Sequence, residues 1–266
     1  NAAPTVNAGA DFTLCSGQTI AMNATTSVST VYGSASATYT TGNASTLYNA
    51  SPTTSTDNTT CPINLSVSIP AGAVITGVDV SYNMTAVGLA YTTDQRSYLQ
   101  CTSAGGIKES SIYQGVVSGA GTYNYTRSNL SIANAVTGGG TINFILHAFR
   151  TYGGSGCNTT YNYVNNNSFI VTVNYRIDPT YTWSPATGLS QSNVLNPTCS
   201  ASATTTYNLT VTGTNGCSAS DAVVVTVPGG SPDVASVLGA STINVGGVTT
   251  LSSTAGANTI WYNVDR

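Results

Sequence analysis

The sequence predicts an all-β chain: a small β-sandwich, a larger β-domain inserted into it, and the start of a second sandwich. Three observations carry this. Period-two alternation of apolar and polar residues recurs at Ile63–Ile69, Ile75–Met84, Ser97–Cys101, Thr141–Arg150, Phe169–Ile177, Tyr207–Thr212 and Ala222–Val227. Helix signals are nearly absent, with few Glu, Lys, Leu or Gln and no sustained period of 3.6. The third observation is an internal echo. Ala10–Thr26 (ADFTLCSGQTIAMNATT) matches Ala240–Thr254 (ASTINVGGVTTLSST), each a strand, a turn at Ser16-Gly17 or Gly246-Gly247, and a second strand.

The echo sets the domain order. In the second copy an aromatic strand, Thr259-Ile260-Trp261-Tyr262, follows almost at once. In the first copy the comparable strand, Thr180-Tyr181-Thr182-Trp183, arrives only after a long intervening stretch. The economical reading is a split sandwich made of 1–27 and 178–228, an insert at 28–177, and a linker with the start of a further repeat at 229–266. That last part carries only three strands of its sandwich.

Each element has its own signal. In the insert, strands are expected at 63–69, 74–84, 95–102, 107–114, 122–127, 141–150 and 167–177, punctuated by Pro70-Ala71-Gly72 and Gly138-Gly139-Gly140. About eight strands over this length suggest a jelly roll. In the host, Tyr181–Ser184 precedes a Pro/Gly turn at Pro185–Gly188, and Tyr207–Thr212 pairs with Ala222–Val227 around Asn215-Gly216, a strong hairpin signal. Trp183 is the expected core plug. Tyr207 is placed to close the sandwich end with a hydroxyl-to-backbone bond.

Composition narrows the function classes. Of 266 residues only 6% are charged, against roughly 25% in ordinary soluble domains, yet 41% are hydrophobic, so a core can form. The net charge is −3, with five Arg and one Lys, and no basic stripe is present. Nucleic-acid partners, which demand phosphate neutralisation, are therefore not expected, nor are anionic membrane surfaces. No apolar run approaches the roughly 20 residues of a spanning helix, so no membrane insertion is expected. Six Cys beside one His fit an oxidising compartment. The chain starts at Asn1 without an initiator Met and stops after the third strand of a repeat, which reads as a piece of a longer secreted polypeptide.

Three stretches carry a family resemblance: PTVNAGADFTLCSGQTI (4–20), YTWSPATGLSQSNVLNPT (181–198) and ATTTYNLTVTGTNGCSASDAVVVTV (203–227). Together they resemble the PKD-like and Ig-like repeats of giant Bacteroidetes surface proteins, among them gliding-motility adhesins and other type IX secretion cargo. The resemblance covers the host sandwich and, more weakly, 233–266, but not 28–177. It implies an Ig/PKD-like sandwich, a tandem-repeat stalk with adjacent repeats of the same longer chain as neighbours, and a bacterial cell-surface, extracellular location. In the insert, INLSVSIPAGAVITGVDVSY (63–82) resembles the entry strands of jelly-roll modules in secreted proteases and carbohydrate-binding proteins. Fold alone assigns no function.

The cysteines Cys15, Cys61, Cys101, Cys157, Cys199 and Cys217 are disulfide candidates, with fifteen pairings open in principle. The family resemblance points at Cys15 and Cys217. Strand order puts those two at opposite ends of the sandwich and brings Cys199 near Cys15, so Cys15–Cys199 is the expected bond, with Cys217 facing the insert. Cys61, Cys101 and Cys157 lie in the insert and need one outside partner if all six pair. A zinc site is the alternative, but no Cys-x-x-Cys exists, and staples are the expected role.

Catalysis and metals have little to stand on. His147 is the sole imidazole and lies on a strand; a triad needs it beside a reactive Ser and a carboxylate. The carboxylates are Asp11, Asp57, Asp79, Asp94, Glu109, Asp178, Asp221, Asp233 and Asp265. A glycosidase needs two of them across one bond; Asp79, Asp94 and Glu109 all lie in the insert and could converge, but no spacing demands it. No catalytic residues and no metal ligands are assigned, and no cofactor is expected. A structural calcium would have to lean on backbone carbonyls, since no Asp-x-Asp-x-Asp loop is present.

Tyrosine is the conspicuous functional residue, sixteen in all, with Tyr91, Tyr98, Tyr113, Tyr123, Tyr125, Tyr152, Tyr161 and Tyr163 in the insert. Aromatic rings stack on sugars while amides bond the hydroxyls. Tyr152, Tyr161, Tyr163, Asn165 and Asn166 are the candidate glycan contacts, read as one loop; tyrosine is also simply a good strand residue with a wet tip. Asn-x-Ser/Thr triplets at Asn43, Asn58, Asn124 and Asn208 follow from the Asn, Ser and Thr richness. The expectation is a non-enzymatic adhesin segment, with the repeats as stalk and the insert as contact module for a surface glycan or other adhesion target. The alternative is a filament or stalk subunit completed by strands from a neighbouring chain.

Overall fold

The computed structural model describes residues 3–15, 17–52, 55, 57–228 and the backbone of 237–238 and 252–253. The protein is all-β; a short 3-10 turn at Thr92–Asp94 is the one helical segment among the described residues. In chain order the strands are β1 (Val6–Asn7), β2 (Phe12–Thr13), β3 (Ile20–Ala21), β4 (Thr25–Thr26), β5 (Val31–Thr38), β6 (Ala44–Tyr48), β7 (Ile63–Ile69) and β8 (Val74–Ala86). They continue with β9 (Gln95–Cys101), β10 (Ile107–Lys108), β11 (Tyr113–Gln114), β12 (Gly121–Leu130), β13 (Gly140–Arg150), β14 (Cys157–Val164) and β15 (Ile170–Ile177). Last come β16 (Thr180–Ser184), β17 (Thr198–Cys199), β18 (Thr205–Thr212), β19 (Ser218–Thr226), β20 (Val237–Leu238) and β21 (Ser252–Ser253).

Two compact units result. One gathers Asn1–Ser27, Thr180–Thr212 and Cys217–Arg266; the other gathers Val28–Pro179 with Gly213–Gly216. In the first, a four-stranded sheet runs β16-β18-β19-β2, and β1–β4 and β3–β17 form two short further pairs. Alternation explains the hairpin: Tyr207, Leu209 and Val211 are buried on one face of β18, while Thr210 and Thr212 bond Ser220 and Ser218 at 2.8 Å on the other. Gly216 turns the hairpin with φ +79°. Trp183 is buried and donates from Nε1 to the Val194 carbonyl at 3.0 Å, which satisfies its polar edge inside the core. The Tyr207 hydroxyl donates to the Thr187 carbonyl at 2.7 Å, the expected corner bond. Gly188 beneath it has φ +81°, and a Cβ there would lie 2.9 Å from that hydroxyl, so only glycine fits. The second copy of the echo lies outside the described residues apart from β21, which pairs antiparallel with β20 just ahead of the copy.

The second unit is one hydrogen-bonded sheet of eleven strands that branches and folds over itself. One layer is β7-β13-β9, with β10 and β11 on β9; the other is β12-β8-β15-β5; β6 and β14 join them. Between the layers lies a continuous apolar core including Val67, Val78, Val80, Leu99, Phe144, Leu146, Phe169, Val171 and Val173. Outer faces carry paired hydroxyls and amides, as at Ser36–Thr172 (2.7 Å), Ser66–Asn143 (2.7 Å) and Thr85–Thr122 (2.8 Å).

Sequence alternation marks most of these strands but not β5, β6 or β14. Their residues (VYGSASAT, ASTLY, CNTTYNYV) are small or polar, so the hydrophobic period is faint even where the backbone is extended. The single strand expected at 107–114 is two short pieces, β10 and β11. Glu109 breaks it by turning inward, where its carboxylate accepts the Leu99 amide at 2.6 Å.

Candidate functional site

His147 is buried on β13, under the segment 57–61. Its Nδ1 accepts the Thr59 amide at 3.2 Å, which fixes the proton on Nε2, and Nε2 donates to Gln100 Oε1 at 2.8 Å. The ring stacks on Tyr98 at 4.4 Å. Burial, with the nearby Lys108 charge second, lowers its pKa to about 4, so the imidazole is neutral near pH 7. Both nitrogens are thus spent on a backbone amide and a neutral side chain. The same segment is held by the Tyr98 hydroxyl on the Asp57 carbonyl and by Lys108 Nζ on Asn58 Oδ1 at 2.8 Å.

Three carboxylates of this unit serve separate structural tasks. Asp79 accepts the Asn129 amide and Asn174 Nδ2, each at 2.8 Å. Asp94 accepts the Tyr91 amide at 2.8 Å and the Thr151 hydroxyl at 3.1 Å. Glu109 is paired with Arg127. Among the described residues no three His, Cys, Asp or Glu side chains come together as a metal site.

Cysteine pairing differs from the expectation. Cys61 and Cys157 form a disulfide across 96 residues, both inside the second unit, with no outside partner. The Cys15–Cys199 bond is not formed: Cys199 is buried on β17 opposite Ile20, within hydrogen-bonding influence of Tyr207, whereas Cys15 is exposed. Strand order brings the two segments together, yet Cys199 pairs with Ile20 and is buried while Cys15 stays exposed. Cys101 is buried in the core, where burial raises its thiol pKa.

The tyrosine group is built on a strand rather than on the loop the sequence suggests. Tyr161 and Tyr163 share one side of β14, while Asn162 and Val164 are buried on the other. Tyr152 is 38% exposed and meets Tyr161 edge to face at 5.7 Å. A Cβ at Gly153 would run into the Tyr161 ring, so the glycine lets the backbone lie flat against it. Asn165 and Asn166 sit at the turn after β14 and are already engaged. Asn165 Oδ1 accepts the Thr85 hydroxyl at 2.8 Å, and Asn166 Oδ1 accepts the Gly42 amide at 3.0 Å. The structure therefore joins Tyr152 with Tyr161 and leaves the two amide side chains bracing the turn.

Sequence reading missed a polar network within the core. Arg127 on β12 lies between the rings of Tyr82 (5.0 Å) and Tyr113 (4.4 Å) and donates to Glu109 and to the Tyr82 hydroxyl. Tyr82 continues to Ser97 at 2.6 Å, and Tyr125 bonds Gln95, which bonds Asn162. Burial raises the pKa of both Tyr82 and Tyr125, keeping them neutral. Arg127 follows Tyr123 and Tyr125 at two-residue spacing, and that inward-facing phase was the available signal.

No family model matches the chain, and no curated protein matches it. Among solved structures the chain is similar to the crystal structure of dimeric latent PorU from Porphyromonas gingivalis. The identity is 7% over 76% of this chain and 21% of that one, with a TM-score of 0.31. This chain thus spans about a fifth of that protein, and a likeness at this level carries no functional weight.

Proposed function

We propose that this chain is a non-enzymatic segment of a large secreted surface adhesin, in which sandwich repeats form the stalk and the inserted unit makes contact with a glycan. The observation that carries the reading is the Tyr152–Tyr161 pair, a half-open aromatic corner whose rings meet edge to face at 5.7 Å with the Gly153 backbone close against Tyr161. Such preorganisation lowers the entropy cost of stacking a sugar ring. A neutral outer surface of paired Ser, Thr and Asn suits contact that is insensitive to salt. His147, Asp79, Asp94 and Glu109, each occupied by a structural partner, favour binding over catalysis. The contact residues are Tyr152 and Tyr161, with Tyr163 beside them and Asn165 and Asn166 as the turn that supports β14.

The test is a glycan-array screen of the full chain, followed by titration of the best ligand against Tyr152→Ala and Tyr161→Ala. Binding that falls about tenfold or more in Tyr152→Ala supports the reading. No glycan retained, or equal retention by both variants, overturns it.

A further inference from the structure

The Tyr152–Tyr161 corner rides on a stretch of chain with a break on each side. Ahead of it, the loop 151–156 joins β13 to β14 and carries Gly153, Gly154 and Gly156 at φ +92°, +81° and +70°, conformations open to glycine and costly for other residues. The bonds that fix this loop lie at its ends. At Thr151 the amide donates to the Asp94 carbonyl at 2.9 Å and the hydroxyl to Asp94 Oδ1 at 3.1 Å. At Gly156 the carbonyl accepts the Tyr48 amide at 3.1 Å and Arg150 Nη2 at 3.0 Å. Beyond the loop, β14 pairs with β6 through Cys157–Leu47 and Asn158–Thr46, and the register then breaks until Tyr163 meets Ser45. Tyr161 stands inside that break, where its carbonyl accepts the Val87 amide at 2.8 Å.

One covalent tie crosses this stretch. The Cys61–Cys157 disulfide fastens the first residue of β14 to the segment that leads into β7. It is open to solvent. Cys157 is exposed, Cys61 is half-buried, and both line a cleft of about 340 Å³ with Tyr39, Asn43, Thr60 and Pro62. A disulfide sealed in a core is out of reach of thiols, whereas an exposed one admits the thiolate that must approach one of its sulfurs.

From this placement we infer that Cys61–Cys157 is a reducible clasp on the aromatic corner: a dithiol entering the cleft opens it, and the segment 152–161 loosens while the layers of the unit stay packed. A thiolate of the reductant attacks Cys157 Sγ to form a mixed disulfide, and Cys61 leaves as a thiolate. The second thiol of the reductant then displaces Cys157. The reductant ends as its own disulfide, and its two protons pass to the two cysteines. The layers hold because the β7–β13 and β8–β15 ladders run along residues away from the bond. Loosened rings lose their preorganisation, so glycan contact weakens. That consequence rests on the glycan reading, whereas the clasp itself does not.

The experiment treats the full chain with dithiothreitol in native buffer. Alkylation mapping, hydrogen exchange and the nuclear Overhauser contact between the Tyr152 and Tyr161 rings are then read together. Expected are alkylated Cys61 and Cys157 without denaturant, loss of the ring contact, and exchange in 151–161 faster by about tenfold or more. Peptides of β8 and β13 stay protected over the same labelling time. Cys61→Ser/Cys157→Ser should show the same loosened corner without reductant, and reoxidation of the wild type should restore it. A bond opened only in denaturant, or an opened bond with ring contact and exchange unchanged, overturns the inference. So does protection lost throughout β8 and β13, which makes the bond a staple of the whole unit. A chain that loosens as described yet binds no glycan in either state sinks only the glycan reading. One that binds a glycan equally before and after reduction overturns the clasp.

Discussion

The Arg127 guanidinium meets the Glu109 carboxylate side-on, Nε to Oε1 at 2.8 Å and Nη2 to Oε2 at 2.7 Å, with both side chains almost wholly withdrawn from solvent. The remaining charge-assisted bonds are filled from within: Arg127 Nη1 donates to Tyr82 at 2.9 Å, and Glu109 accepts the Leu99 amide. Two-point geometry of this kind is the strong form of the ion pair.

Removing one partner is therefore worse than removing both. Glu109→Gln strands a buried guanidinium and is expected to cost about 3–5 kcal/mol in denaturant melts. Glu109→Leu combined with Arg127→Met is expected to cost less than either single change to an apolar residue, as a double-mutant cycle would read.

Acid should weaken the fold through His147. Its folded pKa is about 4, below the ordinary value near 6.5. Between those values the unfolded chain binds the proton that the folded chain refuses, so stability is full above pH 6.5 and falls as pH drops toward 4. The loss amounts to about 3 kcal/mol from this group. Denaturation curves of wild type and His147→Gln at pH 7, 5.5 and 4 separate this term, since the difference between them should shrink with acid.

Reduction should loosen the second unit. The Cys61–Cys157 bond closes a loop of 96 residues, and its removal as Cys61→Ser/Cys157→Ser is expected to cost about 2–5 kcal/mol. Non-reducing peptide maps should join the peptides of Cys61 and Cys157. Native alkylation should label Cys15 at once, and Cys101 and Cys199 only after unfolding.

The tyrosine corner gives a smaller effect. Tyr207→Phe keeps the buried ring but leaves the Thr187 carbonyl without its 2.7 Å donor, at a cost of about 1 kcal/mol. Gly188→Ala, which forces a Cβ against that hydroxyl at φ +81°, should cost at least as much in the same thermal melt.

What was legible from sequence follows hydrophobic contrast. The runs of β7, β8, β13 and β18 alternate strongly and announce themselves, as do Trp183 and the Asn215-Gly216 hairpin. β14 hides because its outward residues are Thr and Tyr and one inward residue is Asn162, so its period has no hydropathy. The buried Arg127 and Glu109 hide for a related reason: a charge looks like surface until a distant partner is known. The strand of His147 is legible from its alternation, but its cover comes from 57–61, a polar segment with no local pattern.

The host unit also imposes an order of events. Phe12 on β2 runs beside Val225 on β19, and the Val224 amide reaches Asp11 across 213 residues. A chain emerging amino end first from a ribosome can pair β1 with β4 early, but it presents β2 and β3 long before their partners β19 and β17 exist. The segment 28–179 can complete its own core in that interval, while β2 and β3 wait unpaired and open to proteases. Closure of the sandwich then reports that the whole insert has been made, and a stall anywhere before β19 leaves β2 without its partner.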